Sequence, residues 1–197
     1  IKDFFINYKL LNSDFSIDMS NDSISVQNKS NLNWKVTLVD TGLNSMTGGR
    51  LLKLKKYIGN KEFLLTYGDG LSNVDIDKLI KFHRIHNKMV TVTAVRPVAR
   101  FGELKIIDNQ VNSFQEKPQT EEGWINGGFF VMKPKFINLI NDEKTILEKE
   151  PLENAVSMKE LFAYKHYGFW QCMDTIRDKD RLEEIYYSGK APWIIND

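Results

Sequence analysis

The sequence predicts an α/β fold built on one sheet, with a β-rich addition after Pro97. Two observations carry this. From residue 34 to residue 95, short apolar runs alternate with amphipathic stretches in the order β, α, β, α, β. Past Pro97 the helical spacing gives way to short extended runs around turn residues.

In "WKVTLVDTG" (34–42), Val36, Leu38 and Asp40 alternate with Thr37 and Val39, the pattern of a partly buried strand ending in a turn. Thr47 can then cap a helix "GGRLLKLKKYI", whose Leu51, Leu52, Leu54 and Ile58 recur at roughly helical spacing. "EFLLT" is a continuous apolar run, as in a strand covered on both faces. "DIDKLIKFHRIHNK" sets Ile76, Leu79, Ile80 and His83 on one helical stripe, and "MVTVTAV" is again strand-like. After Pro97, "GELKIIDNQVNSFQEK" predicts a hairpin about Asp108-Asn109, and "INGGFFVMK" predicts a strand leading into a Pro-initiated helix "PKFINLI". The segment 145–163 reads as helix, "KHYGFWQCM" as strand. Thr175 and Asp178 form a capping-box pattern before "RDKDRLEEIYYSG", which Gly189 can end.

Composition narrows the function. A chain of 197 residues suits a single domain spanning 1–197, and no apolar run approaches the ~18–20 residues a bilayer span requires, so a soluble protein is expected. With 27 Lys+Arg against 26 Asp+Glu, no charge excess supports binding to nucleic acid or to a membrane surface. Cys172 is the only cysteine, so no internal disulfide can form and the cytoplasm is the expected compartment. The opening "IKDFFINYKL" has neither Met nor a signal-peptide pattern, and predicts a piece of a longer chain.

Two aspartates stand at strand ends just ahead of a helix: Asp69 in "TYGDG" and Asp174 in "QCMDT". Mg²⁺ needs only one or two protein carboxylates and completes its octahedron with water and phosphate oxygens, so two such residues brought together could hold it. Taken singly, an Asp at such a junction is more often a turn or cap residue. In "FQEKP", Glu116 and Lys117 are either solvated charges or, respectively, an acceptor for sugar hydroxyls and a point charge for phosphate. The glycines of "INGGFF" suggest a bulge or a ligand lying against the backbone, with Asn126 offering both donor and acceptor beside them. "SMTGGR" brings hydroxyls, glycines and Arg50 to a helix start, which suits an anion and equally a plain capped helix. His83, His86 and His166 make no metal-ligand grouping with Cys172; His83 is expected to pack on its helix and His86 to be exposed. The four tryptophans are scattered and read as core or interface residues.

The order of the segments "VDTG", "SMTGGR", "TYGDG", "RFGELKI", "FQEKP", "INGGFFV", "GFWQCMDT" and "GKAPW" resembles the cytidylyl branch of the sugar nucleotidyltransferase family, from about residue 1 to residue 193. The resemblance implies a Rossmann-like mixed sheet and Mg²⁺-dependent formation of CDP-glucose and pyrophosphate from CTP and glucose 1-phosphate, for bacterial surface polysaccharides. It implies a homo-oligomer, with a hexamer as one form. Asp69 and Asp174 match its metal ligands; Ser45, Arg50 and Gly68 match nucleotide contacts; Glu116, Lys117, Asn126 and Gly127 fall where the sugar phosphate is held, with Lys117 also acting in catalysis. The family's opening strand and glycine-rich loop have no counterpart in these residues, so the domain is expected to be incomplete at its N-terminal side. "IKDFFINY" should then expose apolar surface, and these residues alone should not catalyse. Two alternatives remain: a non-catalytic module for sugar-phosphate binding or assembly, and a sister enzyme using UTP or dTTP.

Overall fold

Where local pattern and a partner strand coincide, the expected elements form; where the partner is lacking, they do not. The computed structural model describes residues 1–27, 32–97, 103–107, 109–115 and 123–194, in two compact units, Ile1–Asp40 and Thr41–Asp197.

The first unit holds helix α1 (Lys2–Leu11) and a hairpin of β1 (Phe15–Asp18) and β2 (Ser23–Val26). No residue of α1 is buried, and Ile6 is 77% exposed, in line with the apolar surface expected of "IKDFFINY". The strand expected at 34–42 does not form: no β-ladder among the described residues includes it, and Trp34, Val36 and Leu38 are exposed. Alternation sets a strand's faces, but a ladder needs a second edge.

In the second unit, the helix expected after residue 46 is broken in two, α2 (Thr47–Lys53) and α3 (Lys55–Ile58). At the junction the Leu54 N–H donates to both Arg50 and Leu51 carbonyls, the tightened turn with which helices commonly end. Next come β3 (Phe63–Thr66), β4 (Gly70–Ser72), α4 (Ile76–His86) and β5 (Val90–Val95). Asp75 caps α4 by accepting from the Lys78 N–H, and Asn87, left-handed at φ 55°, closes it. The hairpin expected around residue 109 is present as β6 (Glu103–Ile107) and β7 (Gln110–Gln115), with Asn109 at φ 63°. Then follow β8 (Ile125–Met132), a 3-10 helix at Pro134–Leu139, α5 (Glu150–Ser157), β9 (Leu161–Lys165), β10 (Trp170–Cys172) and α6 (Ile176–Tyr187).

The helix read across 145–163 is thus only eight residues long, and its expected last turn is strand β9. Left-handed Lys159 (φ 56°) turns the chain between them. The capping box of α6 is present with both of its reciprocal hydrogen bonds, and Gly189 (φ 72°) follows its end.

The main sheet has the order β3-β8-β5-β9; β8 is antiparallel to β3 and β5, while β5 and β9 are parallel. It is the mixed sheet of an α/β protein. The carboxyl ends of β3, β5 and β9 therefore share one edge with the amino end of β8. Central β5 is buried on both faces, whereas β3 lies at the edge with Leu64 half-exposed, so "EFLLT" is covered on one side only. Phe130 and Met132 of β8, Val90 of β5, Phe136, Ile137 and Leu147 are almost wholly enclosed and form the core. At roughly 1.5–3 kcal/mol for each large apolar side chain, this cluster anchors the sheet from which the site projects.

Candidate active site

Asp69 and Asp174 are brought together by a two-stranded ribbon. β4 pairs antiparallel with β10, Gly70 opposite Cys172, and beyond that pair the Met173 N–H donates to the Asp69 carbonyl at 2.8 Å. The two carboxylates thus leave the same end of one ribbon. Asp174 accepts from the Cys172 thiol at 3.3 Å. Burial, then the bond to Asp174 and its charge, push that thiol up to about 11, so it stays protonated as a donor. Among the described residues no group of three or more His, Cys, Asp or Glu is placed to hold a metal. Mg²⁺ does not require one: two hard carboxylate oxygens on adjacent loops, with the rest of the shell left to water and phosphate, fit that ion.

The glycines beside Asp69 leave space rather than fill it. A Cβ on Gly68 would meet nothing within 4 Å, and one on Gly70 would come no closer than 3.7 Å, to Trp170 Nε1. The backbone of "TYGDG" is consequently open to an approaching group.

Strand β8 enters the same edge through a bulge. Its pairing with β5 slips between Val92 and Ala94, and Gly128 is left-handed at φ 79°. The bulge read from "INGG" is formed. Gly127 is buried, its absent Cβ would lie 2.8 Å from Val95 Cγ1, and its carbonyl accepts from Trp170 Nε1 at 2.8 Å. That last bond ties the aspartate ribbon to β8. Asn126 is exposed; its Oδ1 accepts from the Gly128 N–H at 2.8 Å, and its Nδ2 donates to Tyr67 Oη at 3.1 Å.

The loop before α2 is closed on itself. Ser45 is buried; its hydroxyl donates to the Thr41 carbonyl at 2.5 Å and accepts from Lys53 Nζ at 2.9 Å. Arg50 is exposed and clasps Thr41 Oγ1 at 2.7 Å and the Leu43 carbonyl at 3.3 Å. Thr47 is not the cap: Met46 holds that position, and the Thr47 hydroxyl accepts from the Leu147 N–H and donates to Glu148 Oε2 at 2.7 Å. Gly48 and Gly49 are required by packing, since a Cβ on Gly49 would lie 2.1 Å from the Glu143 carbonyl oxygen.

The structure therefore collects Asp69, Asp174, Gly68, Asn126 and Gly127 at one sheet edge, with Ser45 on the loop before α2 and Arg50 in α2, the helix whose first residue, Thr47, bonds to Glu148. Glu116 and Lys117 lie outside the described residues. Three residues at this edge carried no expected role: Tyr67, Glu148 and Trp170. Tyr67 donates to Glu148 Oε1 at 2.5 Å; burial first, then Glu148 and the charge of Asp69, raise its ionisation far above the ordinary tyrosine range. Tyr67 does stand in the quoted "TYGDG", but nothing local marks Glu148.

Residues 12–173 match the family model described as "Nucleotidyl transferase", more than half of the chain. The chain belongs to the nucleotidyl transferase family. Among curated nucleotidyl transferases it is 50% identical over 194 residues to "Glucose-1-phosphate cytidylyltransferase" of Salmonella typhimurium, covering 98% of this chain and 76% of that protein. "Probable glucose-1-phosphate cytidylyltransferase" of Bacillus subtilis is 38% identical over 196 residues, again covering 76% of the relative. The chain thus spans about three quarters of their length. Among solved structures, HddC from Yersinia pseudotuberculosis complexed with GMP-PN superposes at a TM-score of 0.62 with 21% identity, over 93% of this chain and 74% of that one. At that identity the likeness bears on the fold, and it agrees with the mixed sheet found here. In this nucleotidyl transferase the two aspartates, the bulged strand and the closed loop stand at the carboxyl edge of the sheet, where α/β proteins bind their ligands.

Proposed function

We propose that this chain carries the chemistry of a glucose-1-phosphate cytidylyltransferase, forming CDP-glucose and pyrophosphate from CTP and α-D-glucose 1-phosphate. The observation that carries the reading is 50% identity over 98% of the chain.

A phosphate oxygen of the sugar phosphate attacks the α-phosphorus of CTP. A P–O bond forms, the α–β anhydride bond breaks, and pyrophosphate leaves with the electron pair. Such a displacement needs alignment and charge neutralisation more than covalent help from the protein. Asp69 and Asp174 would hold Mg²⁺, which supplies positive charge to the triphosphate. Ser45, Arg50 and the open backbone at Gly68 receive the nucleotide, and Asn126 with the bulge at Gly127 sets the sugar phosphate. Glu116 and Lys117 complete the sugar-phosphate side, Lys117 as the cation at the reacting phosphate. The reaction belongs to the cytoplasm and to the supply of CDP-sugars for surface polysaccharide, in a homo-oligomer. No helix among the described residues is long and apolar enough to cross a membrane.

Titration calorimetry with CTP and Mg²⁺, then UTP and Mg²⁺, on the full-length protein tests the base assignment. Preference for CTP by tenfold or more is expected; equal affinity would remove the cytidylyl reading and leave a sister nucleotidyltransferase.

A further inference from the structure

One carboxylate joins segments that the proposed function assigns to different substrates. Glu148 Oε2 accepts from Thr47 Oγ1, at the start of α2 beside the loop that receives the nucleotide, while Oε1 accepts from Tyr67 Oη, two residues before Asp69. Tyr67 Oη in turn accepts from Asn126 Nδ2, on the strand that sets the sugar phosphate. Donor and acceptor capacities match throughout: the tyrosine hydroxyl gives its one proton to Glu148 and takes one from Asn126, and the carboxylate uses one oxygen in each direction. The Tyr67 ring cannot swing away freely, because it lies beneath Gly128, where a Cβ would come within 2.8 Å of Cδ2. Its backbone N–H is also held, by the Gly128 carbonyl at 3.0 Å. Glu148 and Asn126 are exposed and Tyr67 half-buried, so the chain runs along an accessible surface.

We propose that Glu148 is a positioning residue that couples the nucleotide loop to the sugar-phosphate strand, through Thr47 on one side and Tyr67–Asn126 on the other. This rests on the substrate assignment above. Nucleotide held by Ser45 and Arg50 favours the hydrogen-bonded arrangement of Thr47 and Glu148 seen here, which holds Tyr67 and hence aims the second N–H of the Asn126 amide toward the sugar phosphate. Binding of either substrate then favours the other by the same factor.

The test is calorimetric, on the full-length protein, titrating α-D-glucose 1-phosphate with and without saturating α,β-methylene-CTP and Mg²⁺. In the native protein the analogue should tighten sugar-phosphate binding at least fivefold. Thr47→Val and Tyr67→Phe each cut one link, so each alone should bring that factor below twofold, and the double variant should lose no more. Glu148→Gln keeps the Tyr67 acceptor but offers Thr47 an amide donor, and should also lose the coupling. Melting temperatures separate this from general loosening: a structural role lowers stability in each variant and leaves the factor intact. A factor of one in the native protein, or an unchanged factor in both single variants, overturns the proposal. Binding of the uridine analogue in place of the cytidine one would remove the cytidylyl assignment, and the coupling is then measured with that nucleotide. If neither analogue binds, both readings fall.

Discussion

Acid should destabilise the second unit through one buried imidazole. His83 is wholly buried on α4, and its Nδ1 shares Thr91 Oγ1 at 2.8 Å with His86 Nε2 at 2.7 Å. The Lys88 N–H donates to His86 Nδ1, so neutral His86 carries its proton on Nε2 and gives it to Thr91. Thr91 is then able to donate to His83 Nδ1, leaving the His83 proton on Nε2, a buried atom without a hydrogen-bond partner among the described residues. Protonating His86 sets its Nδ1–H against the Lys88 N–H, and protonating His83 takes away the acceptor of the Thr91 hydroxyl proton. Burial, then the neighbouring His86, lower His83 from its ordinary 6.5 to about 4, with Lys133 and Arg84 acting in the same direction and Glu62 against it. Burial also lowers His86. The unfolded chain therefore binds one more proton than the folded chain between those two values, and stability falls as pH falls. A shift of that size corresponds to roughly 3 kcal/mol, fully present above pH 6.5 and lost by pH 4, with a slope near 1.4 kcal/mol per pH unit in between. Urea unfolding followed by circular dichroism at pH 7.5, 6, 5 and 4.5 measures it in the native protein and in His83→Leu. The variant should be less stable at pH 7.5 and much flatter with pH. If both curves fall in parallel, the titrating group is not His83.

Asp69→Asn and Asp174→Asn should each lower pyrophosphate release by about 100-fold or more while leaving the melting temperature nearly unchanged, because a metal carboxylate acts on charge in the transition state; near-normal turnover for Asp174→Asn would leave that residue a ribbon-end residue only. Gly49→Ala should destabilise despite a gain of up to about 1 kcal/mol in helix propensity, since its Cβ would sit 2.1 Å from the Glu143 oxygen and overpacking costs ~1–3 kcal/mol or more; an unchanged urea midpoint would show that the α2 contact is loose. Gly68→Ala, which meets nothing within 4 Å, should fold like the native protein and bind nucleotide more weakly. Thr175→Ala removes both hydrogen bonds of its hydroxyl in the α6 capping box and should lower the melting temperature by about 2–4 °C, for a loss near 1 kcal/mol.

What the sequence disclosed depends on the distance over which each feature is decided. The α6 capping box joins Thr175 to Asp178, and the β6–β7 turn is set by Asn109. Each is settled within four residues, and each was legible. Segment 34–42 has the right alternation but no neighbouring edge among the described residues, so its propensity remains unexpressed. The end of α5 is decided by pairing of β9 with β5, about seventy residues earlier, which overrides the helical spacing of Leu152, Val156 and Leu161. At the site the same rule divides the residues. Asp69 and Asp174 could be named because each stands at a strand end beside a turn signal, although only the ribbon register shows that they meet. Glu148 could not be named: its partners Tyr67 and Thr47 are 81 and 101 residues away, and a Glu among neighbouring charges has no local signature. A motif reports residues that make their contacts with the ligand and with nearby backbone. The residue that joins two motifs is fixed only by the fold, which is why Glu148, bonded to both Thr47 and Tyr67, lies outside every segment that suggested the chemistry.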